Sequence, residues 1–200
     1  MTKPAESVCH ESLAEIPRLT LRASLRCIGV YRLRLPTDLQ AAVISPGGVG
    51  TTMLINHLAK FVRTNSPDDR DHLKHVPRLP ARLPPTVKVL FVHGSVDDIV
   101  QSIARRGWIA RHGSKLGSLT SVLCGGRMQA RALRHAVRRQ IQWFTVHPRA
   151  NVLTIRYEEL WDSLDRVSSF VGIDDPSFLT TFPIRRPRTN TGLMTGVRIA

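Results

Sequence analysis

The chain has 200 residues, 42% of them hydrophobic, so it can bury the core of one globular domain, and its composition excludes a disordered segment. Its formal net charge is +14, and arginine supplies 24 of the 29 basic side chains. Guanidinium groups suit paired hydrogen bonds to phosphate, sulfate or carboxylate, so the composition favours an anionic partner; a solvated arginine-rich surface is the alternative explanation. Three widely spaced cysteines exclude a zinc site and a disulfide scaffold and fit a reducing compartment.

The N-terminal part of the chain is basic and shows no transmembrane pattern. No stretch reaches the roughly 18 apolar residues that a membrane-spanning helix needs. Residues 1–12 are too polar for a secretory signal, so we expect a cytoplasmic protein. Arginines recur at every fourth position, at Arg18, Arg22 and Arg26. This spacing predicts a helical basic stripe, which either rests peripherally on an anionic membrane or faces solvent on a helix packed against the domain.

The first strongly patterned region combines an apolar run, a glycine-rich turn and an amphipathic segment. Residues 39–46 (LQAAVISP) predict a buried strand. Apolar side chains then recur at helical spacing, at Leu54, Leu58, Phe61 and Val62. Between the two lie Gly47, Gly48, Val49, Gly50, Thr51 and Thr52. A turn of this kind offers backbone N–H groups and the positive end of a helix dipole to an anion, although it lacks the lysine of a nucleoside-triphosphatase loop.

A proline-rich connection leads to a second strand and helix. Residues 65–86 hold five of the 13 prolines and predict an irregular segment that lines a site. Residues 87–94 (VKVLFVHG) predict another buried strand. Ser95, with Asp98 three residues later, predicts the capping box of the helix that follows.

The last third of the chain predicts a mobile loop, a long helix and a third strand. Residues 109–126 are rich in glycine, serine and threonine and predict a mobile loop that could serve as a lid. Residues 127–146 predict a helix with a stripe of arginines at Arg127, Arg131, Arg134 and Arg138. Residues 151–160 predict a strand that runs into a helix ending at Gly172.

The alternation of strands and helices predicts an α/β fold, in which a central parallel sheet lies between two layers of helices in a three-layer αβα arrangement. We assign residues 1–38 to the basic N-terminal segment and residues 39–200 to a single domain. Ligands of such sheets bind at the carboxyl ends of the strands. The glycine turn, His93 and Tyr157 are expected to gather there.

Three motifs occur in order along the chain. Gly50-Thr51-Thr52 opens the first helix, Asp98 and Ser102 lie one turn apart on the second, and Arg156-Tyr157-Glu158-Glu159-Leu160 ends the third strand. Together, over roughly residues 39 to 172, they resemble the sulfotransferases that use 3′-phosphoadenosine 5′-phosphosulfate. The resemblance implies a P-loop nucleotide-binding-like fold and transfer of a sulfuryl group, without a metal, to a hydroxyl or amine of a glycan, lipid or small molecule.

Two positions depart from that family's pattern. Gly47, Gly48 and Val49 stand where the family loop has its lysine, and Gly94 stands where the family has an arginine ahead of Asp98. Each departure removes a cation beside a phosphate group. The candidates to replace these cations are Arg105, Arg106, Arg185, Arg186 and Arg188, the last three in a tail that the family often brings over the nucleotide.

The resemblance also implies roles in sulfuryl transfer. Backbone amides of residues 47–52 would neutralise charge on the bridging oxygen, assisted by Lys74. The acceptor proton needs a base within hydrogen-bond reach. His75, beside Lys74 in the proline-rich connection, is the first candidate, followed by His112 and His93.

Three other functions remain open at this point. The missing cations favour a catalytically inactive nucleotide- or anion-binding module on the same fold. The net charge and the second arginine stripe favour a nucleic-acid-binding protein, although aromatic residues make up only 6% and no nucleic-acid-binding signature is present. A small-molecule kinase fits less well, because the loop lysine is missing. The arginines hint at an acidic glycan or lipid as acceptor.

Overall fold

A computed structural model describes residues 13–31, 33–81 and 83–185. A parallel sheet of three strands organises these residues. The strands lie side by side in chain order: β1 Ala41–Ile44, β2 Lys88–His93 and β3 Val152–Arg156. Their carboxyl ends therefore lie along the same edge.

The apolar runs form strands because both faces of the sheet are covered. Val43, Leu90 and Ile155 belong to one buried cluster, which includes side chains of helices on that side. Ile44 and Phe91 belong to a second cluster on the other face. The prediction of an α/β fold with a parallel sheet flanked by helices is thus confirmed, and the architecture is compatible with three αβα layers.

The described residues contain the helices predicted after the glycine turn, after Ser95, at residues 127–146 and before Gly172, together with others that the sequence did not predict. The helices are α1 Ile16–Cys27, α2 Thr51–Leu58, α3 Val96–Arg105, α4 Ile109–Lys115, α5 Thr120–Leu123, α6 Gly126–Val146, α7 Leu164–Val171 and α8 Ser177–Thr180. Helix α3 begins as predicted, since the Ser95 hydroxyl accepts the Asp98 N–H at 3.5 Å. Gly172, with φ +81°, follows the end of α7 as predicted. Two short 3₁₀ turns, Tyr157–Glu159 and Trp161–Ser163, lie between β3 and α7 in the predicted succession of strand and helix.

The prediction of a mobile loop at residues 109–126 is wrong, because most of this segment is helical. The segment forms α4 and α5, and Ala110, His112 and Ser114 are buried. A Cβ atom on Gly113 would collide with the Ser121 side chain. The glycine here permits close packing of α4 against α5, and it does not mark a flexible hinge.

Helix α1 does not present its arginines uniformly to solvent. It packs against α4 and α5, and Arg18 is exposed while Arg26 is only 5% exposed. The Arg26 guanidinium donates to the carbonyl oxygens of His72 at 2.7 Å, Lys115 at 3.2 Å and His75 at 3.3 Å. Burial lowers the pKa of Arg26 to about 10. The outward stripe predicted from the sequence is therefore wrong at Arg26, which joins α1 to two other segments.

Among the described residues, no helix combines the length and the apolar character needed to cross a bilayer.

We expect Arg26→Ala to lower the free energy of unfolding by about 3 kcal/mol, because three carbonyl groups would lose a charged donor in the interior. Urea unfolding followed by circular dichroism measures the change. Arg18→Ala, on the exposed side of the same helix, is the control and should change stability by less than about 0.5 kcal/mol. Equal, small effects of the two substitutions would contradict a structural role for Arg26.

Candidate functional site

A cleft of about 440 Å³ opens where the glycine turn after β1 meets the start of α2. Lys74, His75, Ser102 and His112 form further parts of its wall. The volume lies within the range of small-molecule sites. The structure therefore brings the predicted glycine turn and the proline-rich connection to one cavity at the carboxyl edge of the sheet.

The glycine turn has a backbone that other residues would not adopt easily. Gly47, Gly48 and Gly50 have φ values of +106°, +69° and +65°. A Cβ atom on Gly47 would lie 2.8 Å from His112 Cε1, and one on Gly50 would lie 2.8 Å from Tyr157 Cε2. Both the conformation and the clearance thus require glycine.

The N-cap residue of α2 is Gly50, which has no side chain to accept hydrogen bonds from the first N–H groups of the helix. The first N–H groups of a helix have no partner within the helix, so the α2 terminus is suited to an external anion. Beside it, the Ser45 and Thr51 hydroxyl groups are 2.6 Å apart, and Ser45 Oγ also accepts the Gly47 N–H at 3.2 Å. Val49 contributes only its backbone, because its side chain is buried in the core.

Lys74 brings a cation to the first turn of α2. Its Nζ donates to Thr52 Oγ1 at 2.6 Å and to the Pro67 carbonyl oxygen at 2.7 Å. Burial lowers the pKa of Lys74, and the charge of Asp69 opposes that shift. The loop lacks a lysine of its own, but Lys74 supplies an ammonium group at the same helix terminus from another part of the chain.

Asp69 fixes the position of Lys74. Its Oδ1 accepts the Lys74 backbone N–H at 3.0 Å, and its Oδ2 lies 2.6 Å from the Lys115 ammonium nitrogen. The Lys74 carbonyl oxygen accepts the Ser45 N–H at 2.9 Å, which attaches the connection to the end of β1. The irregular segment predicted at residues 65–86 is therefore held by defined hydrogen bonds.

His75 is neutral and offers a lone pair. Its Nδ1 lies 2.8 Å from the Ser45 carbonyl oxygen, which can only accept a proton, so Nδ1 carries the hydrogen and Nε2 is the acceptor. Burial, with the nearby charges of Lys115 and Lys74, holds the pKa of His75 well below 6.5. A base with this protonation state is fully available at neutral pH.

His112 lies beside His75, with the ring centroids 4.9 Å apart. Burial, together with the proximity of His75, keeps the pKa of His112 well below 6.5. Its Nδ1 is buried without a hydrogen-bond partner among the described residues. His93, the third candidate base, is half-buried at the end of β2 and does not line the cleft.

The α3 side of the cleft carries part of the second motif. Ser102 lines the cleft, and a Cβ atom on Gly48 would lie 3.2 Å from its side chain. Asp98 is one turn earlier, in the first turn of α3, and does not line the cavity. Arg105 and Arg106 both line it, so this wall is basic despite the missing family arginine.

The tail arginines divide between the described and the undescribed residues. Arg185 lies over the Trp161 ring, 5.6 Å from its centroid, and does not line the cleft. Arg186 and Arg188 lie outside the residues that the structure describes.

Sequence reasoning missed four contributors: Ser45, Met53, Asp69 and Trp108. The acidic cluster DDRD at 68–71 was a signal for Asp69, since buried carboxylates order irregular segments. Ser45 had no distinguishing signal.

No protein family, curated protein or solved structure matches this chain. Within the described ranges, no three His, Cys, Asp or Glu side chains are grouped so that they could hold a metal ion.

We expect the folded protein to lose stability as the pH falls from about 7 to about 5. His75 and His112 are held neutral in the folded state, with pKa values well below 6.5, whereas the unfolded chain takes up protons below its histidine pKa. In that pH range, each such histidine lowers the free energy of unfolding by up to about 1.4 kcal/mol per pH unit.

Urea unfolding at several pH values measures this slope. His112→Gln should reduce it without abolishing it, because burial also lowers the pKa values of His57 and His93. His135→Gln, exposed on α6, is the matched control and should leave the slope unchanged. A slope equal in wild type and His112→Gln would contradict the expected neutral state of His112.

Proposed function

We propose that the cleft binds a nucleotide bearing phosphate and sulfate groups, and that the protein transfers the sulfuryl group of 3′-phosphoadenosine 5′-phosphosulfate to a hydroxyl or amine acceptor. One observation carries the proposal: Lys74 Nζ lies 2.6 Å from Thr52 Oγ1 at the uncapped start of α2. A fixed cation beside free helix amides is what an anionic leaving group requires.

The residues present fit such a ligand. The turn glycines line a cleft of about 440 Å³, and backbone amides, the Thr52 hydroxyl and Lys74 supply donors at the α2 terminus. A second basic area, formed by Arg105 and Arg106 beside Ser102, suits the 3′-phosphate. This arrangement supports a P-loop nucleotide-binding-like type of fold and the three-motif resemblance to sulfotransferases.

The donor, when bound, supplies the activated sulfuryl group for in-line transfer between two oxygens. The α2 amides and Lys74 stabilise charge on the bridging oxygen. His75 Nε2 accepts the proton from the acceptor oxygen, and the Nδ1–H bond to the Ser45 carbonyl orients the ring and stabilises the imidazolium that forms.

A second candidate is a catalytically inactive module that binds a nucleotide or another anion in the same cleft. The observation that favours it is the burial of His75, which is 6% exposed and already bonded to the main chain. The two candidates share the binding chemistry and differ only in turnover of the donor.

We expect the protein to bind adenosine 3′,5′-bisphosphate, and Lys74→Met to weaken that binding about 10- to 100-fold, the effect of one charged hydrogen bond. Isothermal titration calorimetry measures the affinity. Lys60→Met is the control, because Lys60 is exposed beyond the end of α2 and should leave the affinity unchanged.

Absence of binding by the wild-type protein would overturn the sulfotransferase proposal and would exclude this nucleotide as the ligand of the inactive module. Binding without sulfuryl transfer to a panel of hydroxyl and amine acceptors would favour the inactive module. Thermal unfolding of each variant verifies that it is folded.

We expect Arg105→Ala with Arg106→Ala to weaken binding of the bisphosphate about tenfold. Binding of adenosine 5′-monophosphate should change by less than about twofold, since that nucleotide lacks the 3′-phosphate. Arg185→Ala, outside the cleft, is the comparison and should have little effect on either ligand. Equal losses of affinity for the two nucleotides would show that Arg105 and Arg106 do not bind the 3′-phosphate.

A further inference from the structure

A basic surface around α1 is separate from the cleft. A cavity of about 240 Å³ there is lined by Arg18, Arg22, Arg34 and His72, together with apolar side chains. A second cavity of about 310 Å³ is lined by Arg78, Arg139, Trp143 and Val146. Arg26 lines both cavities, so they adjoin. We call this surface, from α1 and the turn after it to the C-terminal end of α6, the α1 face.

The α1 face has an excess of positive charge. No Asp or Glu is among the described residues that line either cavity. Of the nearby acids, Glu15 pairs with Arg111 at 3.3 Å and Asp69 with Lys115 at 2.6 Å. The buried Asp71 carboxylate accepts two backbone N–H groups. Burial, followed by the proximity of Arg18, lowers the pKa of Arg22, as expected where like charges crowd together.

Aliphatic side chains are exposed among these arginines. Leu21 is 55% exposed, and Ile28, in the turn after α1, is 72% exposed. Val30 and Val146 are also exposed large hydrophobic residues on this face. Arginine heads with interspersed aliphatic side chains and a tryptophan form the pattern of a surface that lies in a membrane interface.

We propose that the α1 face docks onto the anionic surface of a lipid bilayer. Its arginines contact lipid phosphates, while Leu21, Ile28 and Val146 enter the region between headgroups and acyl chains. A nucleic acid would satisfy the arginines, but its phosphate backbone would offer no apolar partner to these side chains. The proposal does not depend on the function assigned to the cleft.

Vesicle sedimentation with the full chain tests the proposal. We expect binding to vesicles of phosphatidylcholine with phosphatidylserine, and at least about tenfold weaker binding to phosphatidylcholine alone. Arg18→Glu with Arg34→Glu, two exposed positions, should weaken binding to the anionic vesicles by at least about tenfold. Lys60→Glu with Arg166→Glu makes the same change in charge at exposed positions beyond the end of α2 and on α7, which do not line either cavity, and should change binding by less than about twofold.

A second variant tests the apolar contribution. Leu21→Ser with Ile28→Ser keeps the charge and should weaken binding to anionic vesicles severalfold. Equal losses in the α1-face and control charge variants would overturn the proposal, since binding would then depend on net charge alone. A second result would also overturn the proposal: duplex DNA displaces the protein from the vesicles, and the Leu21→Ser/Ile28→Ser variant binds the vesicles as tightly as wild type. The partner of the α1 face would then be a nucleic acid.

Discussion

The candidate site depends on one contact, between the Lys74 ammonium group and the Thr52 hydroxyl at the start of α2. The glycine turn provides backbone donors and space for an anion, but no cation of its own. Lys74 reaches the turn because Asp69 binds its main-chain N–H and because its carbonyl accepts the Ser45 N–H. The irregular connection therefore determines where the charge lies. A loop that binds anions can obtain its cation from a distant segment if buried hydrogen bonds fix that segment.

Much of the fold could be predicted from the sequence because its signals are local. The three strands follow from apolar runs, α6 from the spacing of its apolar side chains, and the start of α3 from Ser95. The glycine turn was also evident, because its glycines lie between a predicted strand and a predicted helix. In the structure, positive φ values and the close approach of His112 explain why these residues are glycines. Such features are encoded within a few residues, so one sequence is sufficient to find them.

The remaining features arise from contacts between distant segments. The spacing of Arg18, Arg22 and Arg26 predicts a stripe, but only tertiary packing determines that Arg26 is buried against three carbonyl oxygens. Gly113 suggested mobility in the sequence, whereas in the fold it permits close contact with Ser121. The acidic cluster at 68–71 marks Asp69 in the sequence, but its partners Lys74 and Lys115 meet only in three dimensions. Periodicity shows which residues share a face; it does not show what lies opposite them.

The hydrogen bonds from Arg26 to the His72 and His75 carbonyl groups connect the α1 face to the wall of the cleft. The short segment 72–75 lies between two cavities: His72 lines the cavity beside α1, and Lys74 and His75 line the cleft. Displacement of Arg26 would remove its hydrogen bonds to the His72 and His75 carbonyl groups, which hold the segment that carries Lys74 and His75. If a ligand in the cleft displaced Arg26 and so changed affinity at the α1 face, linkage would require a ligand on the α1 face to change affinity at the cleft by the same factor.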